Sequence, residues 1–217
     1  ARTGRAFHLE TREPHQWFQV ASSGGRIRVI DVRSLTKVYG SLTAVQGLSF
    51  TVAPGEILGL VGPNGAGKTT TLRCLAGIIH ATAGTLRIAG HDLASHPIPA
   101  KAALAFIPDE PQLFEYLTVR EHLQFTARLY RQAESLGRIP GLLAELELEE
   151  KADALAGELS RGMRQKLAIA CGLLHEPRAL ILDEPLTGLD PVGIRRMKRK
   201  SSGWPTRKRK CPAWKSG

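Results

Sequence analysis

The chain has 217 residues, a hydrophobic fraction of 42% and a formal net charge of +10, which suits one globular domain with a sizeable core. No stretch approaches the roughly 18 consecutive apolar residues of a membrane span, and the N-terminus lacks the apolar segment of a secretory signal, so neither a spanning nor a secreted protein is expected. The positive charge is confined to one end: from Arg195 onward there are ten Lys/Arg and no acidic residue, while residues 1–194 balance 20 basic against 20 acidic. A terminal run of this kind reads as a solvated tail, so nucleic acid is not an expected partner.

In chain order, residues 1–25 are polar and close on Ser22-Ser23-Gly24-Gly25, the composition of a disordered extension and linker. Ile27, Val29 and Ile30 open a β-type run. Leu48 to Val52 alternates apolar and polar with period two, as a half-buried strand does. After the Pro54-Gly55 turn, the continuous run Ile57 to Val61 predicts a strand buried on both faces of a parallel sheet. A helix is expected from Lys68 to about Ile78, and a buried strand over 103–107, closed by Pro108.

Residues 118–158 are charged, Leu-rich and helix-forming, with Thr118 and Glu121 spaced as a capping box. A helix over 163–174 and a buried strand over 179–182 follow. Strands alternating with helices predict an α/β fold with a mainly parallel sheet, into which 118–158 is a helical insertion. The three cysteines, Cys74, Cys171 and Cys211, offer no metal-binding spacing, and the first two lie in apolar helical contexts where Cys acts as a small core residue. The seven histidines form no ligand pattern.

The chemistry enters directly after the strand ending at Val61. Gly62, Pro63, Asn64, Gly65, Ala66, Gly67, Lys68 and Thr69 fit G-x-x-x-x-G-K-[ST]. Glycines let successive N–H groups turn toward one anion, and the helix that follows presents its positive end to phosphates. Lys68 is placed to reach the β- and γ-phosphates and the Thr69 hydroxyl to ligate Mg2+. Asp183 and Glu184 close the apolar run 179–182, at the carboxyl edge where ligands bind in such sheets. Asp183 is read as a holder of Mg2+, and Glu184 as the catalytic group that polarises an attacking water.

Between these motifs lies Leu159-Ser160-Arg161-Gly162-Met163-Arg164-Gln165. The whole segment LSRGMRQKLAIACGLLHEPRALILDEPLTGLDP resembles the signature-to-D-loop region of ATP-binding cassette (ABC) ATPases, above all the ATPase subunits of bacterial export-type transporters. The resemblance spans about 26–197 and implies an α/β P-loop NTPase core with a mainly parallel sheet, an N-terminal antiparallel β subdomain and an inserted helical subdomain. It implies that Tyr39 stacks on adenine and that residues 62–70, including Thr70, form the Walker A loop. Ser160, Arg161, Gly162 and Met163 take the signature positions against a partner's ATP, and Asp190 the D-loop. The implied cofactors are ATP and Mg2+. The implied partners are a second ABC ATPase subunit and a separate transmembrane permease subunit, with the chain held on the cytoplasmic face of the membrane.

Two departures accompany the resemblance. At the Q-loop position the chain has Asp109 in place of glutamine, with Gln112 nearby but out of register. Beyond Met197 the family continues through an apolar strand to a histidine, whereas 198–217 is basic and has none. The sequence reading is a cassette incomplete at its C-terminus that ends in an unrelated, disordered basic tail, with ATP binding better supported than efficient hydrolysis.

Overall fold

The computed structural model describes residues 28–183 and the backbone of a strand at 207–210. Two long strands, β1 (Ile30–Tyr39) and β2 (Leu42–Val52), form an antiparallel hairpin paired from Ile30↔Val52 to Tyr39↔Leu42. β3 (Glu56–Gly59) leads through the glycine-rich loop into α1 (Lys68–Leu75). β4 (Ala83–Ile88) and β5 (His91–Asp92) return to the hairpin and complete a four-stranded antiparallel sheet in the order β2-β1-β4-β5. α2 (Pro97–Ala102) precedes β6 (Leu104–Ile107). α3 (Val119–Leu129) and α4 (Ile139–Leu146) make the helical insertion, and α5 (Arg161–Leu174) runs back to β7 (Ala179–Leu182), which lies parallel to β6 in register Leu104↔Ala179. No helix among the described residues is long and apolar enough to cross a membrane.

The core divides as the elements do. Val32, Leu35, Val45, Leu75 and Ile88 gather β1, β2, α1 and β4 into one apolar cluster, while Leu123, Leu142, Leu148, Leu167 and Leu174 gather the inserted helices around α5 into a second. Cys74 belongs to the first of these, as its apolar helical context predicts. α3 begins at the predicted capping box: the Thr118 hydroxyl accepts from Glu121 N at 3.2 Å, and the Glu121 carboxylate accepts from Thr118 N at 2.8 Å. Both groups thereby satisfy amides that the helix itself leaves without carbonyl partners. At Gly172 the helix α5 comes so near β6 that a Cβ would stand 2.6 Å from Ile107 Cδ1.

Two expectations need correction. Ile57–Val61 is predicted as a strand buried on both faces, yet β3 stops at Gly59, its residues are half-buried or exposed, and Val61 is 71% exposed. Among the described residues no ladder joins β3 to β7. The second concerns the basic tail. Residues Arg207–Lys210, expected to be disordered, form β8, parallel to β3 in register Glu56↔Arg207 to Gly59↔Lys210. Ladder hydrogen bonds are made by the backbone whatever the side chain, and the open edge of β3 is a template for any extended segment. The remainder of 198–217, like 1–27, lies outside the described residues.

Candidate functional site

The glycine-rich loop turns into α1 through Gly67, whose φ of 76° is left-handed and favours a residue without Cβ. The helix has no side-chain cap at this end. Its first-turn N–H groups at Lys68, Thr69 and Thr70 have no carbonyl four residues back inside the helix, and they gather partial positive charge at the loop. The Lys68 ammonium folds back over the loop and donates to the carbonyls of Gly62 at 2.8 Å and Pro63 at 2.7 Å. A cation and a row of amides therefore face one small volume, the arrangement that binds phosphate.

Much later in the chain, β7 delivers Asp183 to the Thr69 side chain. The Asp183 amide donates to the Ile107 carbonyl at 2.9 Å, which extends the β6–β7 ladder by one bond. The residue is 8% exposed, and its carboxylate accepts from the Thr69 hydroxyl at 3.3 Å. These residues are 114 apart in the chain. A hydroxyl and a carboxylate meeting beside a phosphate cradle are the hard oxygen donors that Mg2+ takes, so the residues fit that ion. A cavity of about 810 Å³ opens from Thr69 and Asp183 across the loop after β6, reaching Asp109, Gln112, Tyr130 and His175. Both candidates for the Q-loop position thus border one space with Thr69 and Asp183.

The signature segment starts α5. The Ser160 hydroxyl accepts from Met163 N at 3.3 Å and caps the helix, leaving the amides of Arg161 and Gly162 without a carbonyl inside the helix. Arg161 Nη2 donates to Asp109 Oδ1 at 3.4 Å. Tyr39 stands at the end of β1, 46% exposed, with the Lys37 ammonium 4.7 Å over the ring centroid. Glu184 and Asp190 lie outside the described residues.

Two features of this site have no local sequence signal. Gln165, buried in α5, donates to the Pro108 carbonyl at 3.2 Å. Tyr130 and His175 stack at the cavity floor with centroids 3.7 Å apart, and the His175 Nε2–H donates to the Leu104 carbonyl at 3.2 Å. Burial holds the His175 imidazole below its ordinary value, and the Arg138 charge lowers it further, against the raising effect of backbone contacts to Leu104 and Cys171. The folded chain therefore favours the neutral ring. As pH drops below the ordinary value of 6.5, the unfolded chain takes up the proton first and stability falls. Thermal melts between pH 7.5 and 5.5 are expected to show a shallower decline for His175→Phe than for the parent; equal slopes would refute this.

The family model described as ABC transporter matches residues 45–187. Nod factor export ATP-binding protein I of Paraburkholderia xenovorans is 46% identical over 164 residues, covering 75% of this chain and 54% of that protein. SkfA peptide export ATP-binding protein SkfE of Bacillus subtilis is 42% identical over 166 residues, covering 76% of this chain and 69% of its own length. The chain thus spans about half the length of the Nod factor export relatives it matches. A solved structure described as the ATP binding subunit of an ABC transporter superposes with a TM-score of 0.74 at 36% identity, over 81% of this chain and 75% of that one. With the phosphate loop, the Thr69–Asp183 pair and the helical insertion in place, the chain belongs to the ABC transporter family.

Proposed function

We propose that this chain is the ATP-hydrolysing subunit of an exporter. In this reading it holds ATP and Mg2+ at residues 62–70, and a second such subunit covers the nucleotide. The pair then acts on a separate membrane permease from the cytoplasmic face. The observation that carries the reading is the approach of Thr69 Oγ1 to Asp183 Oδ1 beside the Lys68 ammonium. The export names of the relatives support the direction of transport; the choice of substrate belongs to the permease.

The chain's own groups divide the work. Lys68 exchanges the Gly62 and Pro63 carbonyls for phosphate oxygens, and the first-turn amides of α1 orient the rest of the phosphate chain. Tyr39 stacks on adenine. A bound Mg2+ supplies charge to offset the phosphate oxygens, and Thr69 and Asp183 are the groups that hold it. Glu184 accepts the proton of the attacking water. Because the start of α5 lies away from the chain's own phosphate loop in this scheme and serves the partner's nucleotide, one chain carries two half-sites and the pair completes both. The basic composition of β8, in place of the apolar strand that the resemblance calls for, favours a second reading in which the chain binds nucleotide with little turnover.

Phosphate release by the full chain beside its Glu184→Gln variant separates the two readings. Removing a general base is expected to lower turnover by about 10²–10⁴-fold while binding of a fluorescent ATP analogue persists. Equal background rates in both chains, with binding intact, would leave only the non-hydrolytic reading.

A further inference from the structure

The loop after β6 and the first turn of α5 touch at two points of different character. Gln165 to the Pro108 carbonyl is a buried, uncharged contact, and it ties the two segments together whatever the surrounding charge. Arg161 to Asp109, at 3.4 Å, leaves 53% and 38% of the two side chains open to solvent. A half-exposed ion pair of this kind is easily replaced. The two residues face different tasks: Asp109 borders the cavity that reaches Thr69 and Asp183, and Arg161 follows the cap Ser160 at an uncovered helix start. A guanidinium takes a phosphate more strongly than a single carboxylate, because a phosphate group offers more charge and several acceptor oxygens to the same planar fork.

We propose that Asp109 and Arg161 form a latch that exchanges partners when two copies of this chain close on ATP. In the single subunit Asp109 holds Arg161. When a second copy presents its bound ATP to the start of α5, Arg161 leaves the carboxylate for the phosphates, and Asp109 is released toward the cavity beside Thr69 and Asp183. This rests on the two-subunit reading above and adds to it a named positioning pair. The Asp109 found where the family has glutamine then has a charge-based reason: an uncharged amide at 109 offers the Arg161 guanidinium no opposite charge.

The latch gives the two variants opposite signs. The test uses the full chain in a Glu184→Gln background, so that ATP is not consumed, and follows pairing by sedimentation velocity against ATP concentration with Mg2+. Asp109→Asn frees Arg161 and is expected to lower the ATP concentration for half-maximal pairing by about two- to fivefold, the range of a partly exposed ion pair. Arg161→Gln removes the phosphate contact and raises that concentration by about tenfold. The double variant follows Arg161→Gln alone, since the latch has nothing left to hold. Thermal melting confirms that each variant folds. If both single variants shift pairing in the same direction, or their effects add in the double, the latch is wrong, because a contact that only steadies α5 weakens pairing from either side. A parent chain that binds a fluorescent ATP analogue and never pairs overturns the two-subunit reading itself, and the latch falls with it; that outcome is distinct from pairing with same-sign variants.

Discussion

A Lys68→Ala chain is expected to bind a fluorescent ATP analogue about 10- to 100-fold more weakly than the parent, because a hydrogen bond to a charged group contributes about 1.5–3 kcal/mol. The ammonium is the cationic group held over the loop by the Gly62 and Pro63 carbonyls. Its removal takes away the charge and leaves both acceptors without their donor. Turnover is expected to fall by a further factor, about 10²–10³ for the loss of one preorganised donor. Lys68→Arg keeps the charge but brings a planar fork where the loop encloses a single ammonium, and it should recover little of the binding. An alanine variant that binds the analogue as tightly as the parent would remove the phosphate loop from the nucleotide site. Calorimetric titration with ATP and Mg2+ measures this without a dye.

The largest effect on stability is expected from Leu167→Ala. Leu167 is 0% exposed at the middle of α5 and packs in the cluster that joins the inserted helices. Truncating a buried leucine costs about 2–5 kcal/mol through lost transfer energy and the cavity left behind, a large share of the roughly 5–15 kcal/mol of a whole domain. The midpoint of urea denaturation should fall accordingly. Leu129, in α3, is 65% exposed and serves as the control, with a change of about 0.5 kcal/mol or less on truncation. Since Ser160 caps α5, partial loosening of this helix would also weaken whatever the signature segment contacts. Equal losses for Leu129→Ala and Leu167→Ala would contradict the packing described above.

The features read correctly from the sequence are those whose cause is local. Helix α1 begins at Lys68 as predicted, because the loop glycines and the Lys-Thr-Thr run sit within one turn of each other. Thr118 and Glu121 close their box across three residues. The strand over 179–182 appears at its predicted bounds, since a short apolar run between Pro177 and two carboxylates has few other conformations that bury it. Helix α1 ends at Leu75, short of the expected Ile78, where Ala76 turns and Gly77 takes a φ of 64°.

Other features depend on which segments meet. Nothing in Arg207–Lys210 alone predicts a strand; the pairing comes from the open backbone edge of β3. Val61 is apolar yet 71% exposed, an outcome that its own apolarity does not set. The order β2-β1-β4-β5 places Ala83–Ile88 against β1 although the loop and α1 intervene, and no local period signals that. Tyr130 and His175 stack from just beyond the ends of two separate helices, α3 and α5.

By itself, then, the sequence determined the chemical parts of this protein: the phosphate loop, the Thr69 hydroxyl, the Asp183 carboxylate, the signature segment and the alternation of strands and helices, each a pattern within a few residues. The tertiary structure decided which of these parts share a site. Thr69 reaches Asp183 across 114 residues and Arg161 reaches Asp109 across 52, while β6 and β7 pair in register and α5 packs against β6 at Gly172. Those contacts are set by backbone ladders and close packing between distant segments, where a local pattern carries no information about its eventual neighbour.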